Sequence, residues 1–193
     1  MAARDALDRA LSFAGDNRDL RGALRYCEGH LHRINGEAQK TRGDGDEGQE
    51  ELADAVVAFR EAADLRQNWQ DPFLGLARTF IVGLDDVERG QDALNKAVEL
   101  GYTLSDRESL LLADGYRSQG NSLVRTARQV KGLPQEHDYL SRAAEAYRLA
   151  LTNYANAPNT GPVPNNIART QRALVDVEQE LGEGITALPE SEQ

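Results

Sequence analysis

One spacing of apolar side chains recurs along this chain and narrows its possible folds more than any other feature. In the stretch Asp71-Pro72-Phe73-Leu74-Gly75-Leu76-Ala77-Arg78-Thr79-Phe80, Phe73 is followed by Leu76, Ala77 and Phe80. Positions i, i+3, i+4 and i+7 share one helix face, and a small residue on that face lets a neighbouring helix approach closely. The pattern returns 36 residues later at Leu112, Ala113 and Tyr116, and more faintly at Ala23 and Tyr26. A second pattern, small-x3-large-x2-apolar-apolar, alternates with the first. It occurs at Ala3, Leu7, Ala10 and Leu11, then at Ala55, Phe59, Ala62 and Ala63. It recurs less cleanly at Ala93, Ala97, Leu100 and Gly101, and best at Ala143, Tyr147, Ala150 and Leu151. Two kinds of helix in alternation predict hairpins stacked on one another.

Composition agrees with an all-α reading. Of the 193 residues, 40 % are apolar but only 6 % aromatic, which argues against a β-sandwich and suits small-residue helix packing. The formal net charge is −10, from 32 acidic and 22 basic residues. That balance counts against a nucleic-acid binder, which needs a basic face to displace counterions, and against docking on an anionic membrane surface. The single cysteine, Cys27, rules out an internal disulfide and fits a reducing compartment. No apolar leader opens the sequence and no run of 18 apolar residues interrupts it, so a cytoplasmic chain is expected.

In order, the periodicity predicts a short helix over 3–14 and a second from about Asp19 to Lys40. A solvated loop is expected at Arg42-Gly-Asp-Gly-Asp-Glu-Gly48, then a helix from Glu50 to about Asn68. Asp71-Pro72 starts the next, over 72–82. Further helices are expected over 88–100, from Ser105 to Val130 with a capping box at Ser105 and Glu108, and over 136–154. After the Pro- and Gly-rich segment from Ala157 to Asn166, a last amphipathic helix spans about 166–181.

These joint spacings resemble the tetratricopeptide-repeat family, over roughly Ala3 to Ala157. The residues that carry the likeness are Phe73, Leu76, Ala77, Phe80, Leu112, Ala113, Tyr116, Gly120, Ala143, Tyr147, Ala150 and Pro158. The resemblance implies a right-handed α-solenoid in one domain over 1–184, with units at about 19–68, 71–102 and 105–157. A capping helix at 165–182 and a flexible tail at 185–193 complete it. The chain departs from the family's repeat of about 34 residues by carrying insertions over His30–Glu50 and Asn121–His137, expected to project as overlong hairpins.

No chemistry is legible. Cys27, His30 and His32 do not converge on one helix face, so neither a metal site nor a catalytic thiol is expected, and Cys27 reads as a buried structural residue. The Asp44-Gly-Asp46 segment lacks the glycine and glutamate of a calcium loop. No phosphate-binding glycine loop or nucleophile elbow is present. No cofactor is implied and the chain is read as non-catalytic.

The resemblance places ligand-facing positions on the first helix of each hairpin. They are Leu74, Arg78, Ile81 and Val82 in one unit, and Arg107, Leu110, Asp114 and Arg117 in the next. In the faint first unit they are Leu20, Leu24 and Glu28, with Arg21 and Arg25 beside them. Arginines among exposed apolar residues suit an acidic or carboxylate-ended peptide. The expected function is a protein–protein interaction scaffold. Two other readings are the regulatory end of a larger signalling enzyme, such as a protein kinase, and self-association through the unpartnered N-terminal helix.

Overall fold

In the computed structural model, residues 5, 6, 9, 10, 12, 13, 15–158 and 160–186 are described, the last four of them by backbone alone. The described elements are all helical, and no strand occurs among them. From residue 15 onward the described α-helices are α1 (Arg18–Arg42), α2 (Gly45–Leu65), α3 (Asp71–Arg78), α4 (Val87–Glu99), α5 (Asp106–Gln129), α6 (Gln135–Ala155) and α7 (Val163–Thr186). They divide into two compact units between Leu104 and Ser105. No described helix is long and apolar enough to cross a membrane. Ala3, Leu7 and Leu11, which carry the expected N-terminal stripe, lie outside the described residues. So does most of the expected tail.

In the first unit, α1 begins at Asn17, whose Oδ1 accepts the Leu20 N–H at 2.9 Å. It ends at Gly43, whose φ of 98° is the left-handed value glycine adopts without strain. The N–H groups of Gly43 and Asp44 donate to the Lys40 and Gln39 carbonyls at 3.2 and 3.1 Å. The chain therefore turns at Gly43-Asp44, and Gly45 to Gly48 are already helical. This corrects the loop expected over 42–48. The glycines there include one required for helix packing. Gly48 faces Gly36 of α1, where a Cβ on Gly36 would lie 2.7 Å from the Gly48 carbonyl oxygen.

Gly22, Gly29 and Gly36 recur every seven residues along α1 and are all buried. They meet Arg66, Phe59 and Leu52, and added Cβ atoms would sit 2.7 to 2.8 Å from those side chains. The stripe lets two long helices run unusually close, with Leu52, Ala55, Phe59 and Ala62 of α2 fully buried against it. The residues read as an insertion, over 30–50, lie in the two long helices of this hairpin and the short turn between them. His32, itself buried, bridges the two helices through Nδ1, 2.7 Å from Glu51 Oε2.

Helix α3 starts with Pro72 in its first turn and passes at Thr79–Gly83 into a π turn. The Leu84 N–H donates to the Thr79 carbonyl at 3.0 Å, a five-residue span. Buried Thr79 returns its hydroxyl to the Gly75 carbonyl at 2.8 Å. Lys40 Nζ, from α1, donates to the Gly83 carbonyl at the end of this turn and lies 3.3 Å from Asp85. Asp86 then caps α4, accepting the Arg89 N–H at 2.9 Å. Leu76, Ala77, Phe80, Ala93 and Ala97 of the recurring patterns are buried together with Leu94, while Phe73 and Leu100 are half-buried.

In the second unit, Ser105 and Glu108 form the expected capping box, with the Ser105 N–H donating to Glu108 Oε2 at 2.9 Å. Helix α5 runs unbroken through Gly120, where a Cβ would meet the Tyr147 ring at 2.6 Å. The second expected insertion is again taken up as helix, up to Gln129 and from Gln135. Ala127, Leu140, Ala143, Ala144, Tyr147 and Val177 form the core that α5, α6 and α7 share.

Candidate functional site

The densest grouping of buried charge and aromatic rings lies in the first unit, where α1, α2 and α3 meet. Its floor is Phe59, fully buried on α2. Gly29 of α1 and Gly75 of α3 both press on that ring, and Cβ atoms added there would lie 2.8 and 2.5 Å from it. The two glycines draw α1 and α3 onto one side chain. One turn beyond them stand Arg33 and Arg78, which converge on a single carboxylate. Arg33 lies 2.7 Å and Arg78 Nε 3.8 Å from Glu37 Oε1.

Arg33 is only 9 % exposed. The Nε atoms of Arg33 and Arg78 are buried and have no hydrogen-bond acceptor among the described residues. Buried guanidinium donors are stable only with acceptors, and a carboxylate offers paired ones in matching geometry. His30 stands in the same field. Burial, then the charges of Arg33 and Arg78, hold its imidazole below the ordinary range, with Asp71 opposing. The rim is aromatic. The Tyr26 ring lies 4.5 Å from His30 and 4.8 Å from Trp69, which Arg66 covers at 4.0 Å. Burial and then the charge of Asp71 push the Tyr26 hydroxyl up.

The residues expected to face a ligand are placed as follows. Leu74 is half-buried beside Gly75, and Arg78 belongs to the cluster just described. Ile81 is 5 % exposed and packs on Gly90 of α4, so it presents nothing to a ligand. The physical reason is the π turn, which adds a residue to the helical register so that Val82, 44 % exposed, faces outward instead.

In the second unit Arg107 is exposed and Leu110 half-buried. Asp114 and Arg117 are drawn together by a tyrosine. The Tyr154 hydroxyl donates to Asp114 Oδ1, Arg117 Nε donates to the Tyr154 oxygen at 3.1 Å, and Asn166 donates to Asp114 at 3.3 Å. Burial, then the bond to Asp114, push the Tyr154 hydroxyl up to about 12. These groups tie α5, α6 and α7 together. In the faint first unit, Leu20 is 44 % exposed and Glu28 pairs with Arg25.

Two residues depart from the expectation in ways that matter. Arg33 was not among the expected contacts, although it lies seven residues beyond Tyr26, two helical turns along the same face, and four before Glu37. Cys27 is exposed, which corrects its reading as a buried thiol. The buried stripe of α1 follows Gly22, Gly29 and Gly36, and Cys27 falls off it. Among the described residues no group of three His, Cys, Asp or Glu side chains could hold a metal ion. The chain matches no family model, no curated protein and no solved structure.

Proposed function

We propose that the chain is a tetratricopeptide-like interaction scaffold that binds an acidic or carboxylate-ended peptide at the Arg33–Arg78 cluster of its first unit. The observation that carries this reading is the pairing of buried Arg33 with half-buried Arg78 on one carboxylate, while the buried Nε atom of each lacks an acceptor among the described residues. A peptide carboxylate pairs with the exposed part of Arg78, beside Arg33 already held by Glu37, so little side-chain freedom is lost on binding. Half-buried Leu74 and Tyr26 offer apolar contact beside the charge. The likeness to tetratricopeptide repeats supports the reading through its hairpins: Phe59, Leu76, Ala77, Phe80, Ala143 and Tyr147, which belong to the two recurring patterns, are buried.

The test is selection of binders to the whole chain from a random peptide library, displayed with free and with amidated C-termini. Enrichment of Asp, Glu or a free C-terminus, lost when Arg78→Glu replaces the wild-type protein, is the expected result. Binders without acidic groups, or binders indifferent to the substitution, would contradict it.

A further inference from the structure

The second unit holds a cleft, separate from the arginine cluster, whose two walls carry opposite charge. It is an open groove of about 450 Å³ among residues of α5, α6 and α7, and the charged residues along it are exposed. Tyr147 of α6 lines its base. The ring is 2 % exposed, and its hydroxyl donates to Asn121 Oδ1 at 2.8 Å. Helix α5 contributes Arg125 and Arg128, three residues apart, and α7 contributes Asp176 and Glu180, four apart, so each pair shares a helix face. Among the described residues none of these four makes an ion pair within 4.0 Å. Elsewhere on α7, by contrast, Glu178 does find Arg148, at 2.7 Å. Burial pushes the Tyr147 hydroxyl up, the charges of Arg128 and Arg117 oppose it, and that of Asp176 adds to it. The strip between the charged walls is apolar, formed by Val124, Ala173 and Val177.

We propose that this cleft binds a small zwitterion of the amino-acid class, its carboxylate toward Arg125 and Arg128 and its ammonium toward Asp176 and Glu180. A bipolar ligand satisfies both walls at once. An anion or a cation alone leaves one wall unpaired, and a neutral apolar molecule leaves both. The apolar strip favours an occupant whose charged ends are separated by methylenes.

The measurement is calorimetric titration of the whole chain with 6-aminohexanoate, hexanoate and hexylammonium, which share a chain length and differ only in their ends. The zwitterion is expected to bind about tenfold or more tightly than either singly charged analogue. Arg125→Glu with Arg128→Glu should abolish binding, and adding Asp176→Arg with Glu180→Arg should restore it with the ligand reversed. Equal affinity for hexanoate would reduce the site to one anion-binding wall and overturn the proposal. So would the absence of saturable binding by the zwitterion. The comparison of the three ligands on the wild-type chain decides the matter even if the reversed-charge variants fail to fold.

Discussion

At the scale of single residues, the glycines inside the helices are decisive. Gly36 faces a backbone oxygen, which cannot move aside as a side-chain tip can. Alanine is the better helix former by about 1 kcal/mol, yet Gly36→Ala is predicted to destabilise the protein by about 1–3 kcal/mol, because overpacking outweighs propensity. Gly45→Ala, with nothing within 4 Å of its Cβ, is predicted to be neutral or slightly stabilising. Urea denaturation of the two variants makes the comparison, and equal effects would remove the close-approach argument. Tyr154 offers a second test. Its hydroxyl titrates near 12 in the folded protein, against about 10 in an unfolded chain. The stability it contributes is therefore complete below pH 10 and is lost as pH rises toward 12. Difference absorbance between wild type and Tyr154→Phe should show this late ionisation, and Tyr154→Phe should cost about 1–3 kcal/mol at neutral pH by leaving Asp114 and Arg117 short of a partner. His30 gives the opposite sign. Its depressed pKa means that the unfolded chain takes up the proton first, so its contribution to stability fades as pH falls below about 6.5. A carboxylate arriving between Arg33 and Arg78 would raise that pKa. Binding of an acidic peptide is thus predicted to tighten about two- to fivefold from pH 7.5 to 5.5, measured by fluorescence anisotropy, and His30→Gln should flatten the profile.

At the scale of elements, most helices were legible because their apolar periodicity is strong and their stops are explicit. The Ser105–Glu108 capping box and the Gly132-Leu133-Pro134 stop are two cases. What sequence periodicity misses is a change of helical period. A reading at 3.6 residues per turn places Ile81 with Leu74 and Arg78, and the π turn at Thr79–Gly83 breaks that relation. Ile81→Ala is accordingly predicted to cost about 2–5 kcal/mol, as for a buried aliphatic, and Val82→Ala no more than about 0.5 kcal/mol. Thermal denaturation distinguishes them, and the reverse order would restore the regular register. Glycine misled for a related reason. Within the charged segment 42–48 it suggests a loop, but a glycine opposite another helix marks close approach, and only the heptad spacing of Gly22, Gly29 and Gly36 could have signalled that. Arg78 was expected only through the resemblance to tetratricopeptide repeats. Arg33 was not expected, because its place beside Arg78 depends on two glycines on different helices closing over Phe59.

At the scale of the whole molecule, a chain of net charge −10 repels an acidic peptide at long range. The proposed recognition would then depend on charges that salt and solvent screen little, a condition that buried Arg33 meets and half-exposed Arg78 meets in part. The exposed Arg107 tests whether locale or mere charge decides. The measurement that bears most directly on the central claim is the affinity of the whole chain for one library-selected acidic peptide, with Arg78→Glu and Arg107→Glu in parallel and folding checked by circular dichroism. The account predicts a loss of about tenfold or more for Arg78→Glu and little change for Arg107→Glu. Equal losses, or a loss confined to Arg107→Glu, would contradict it.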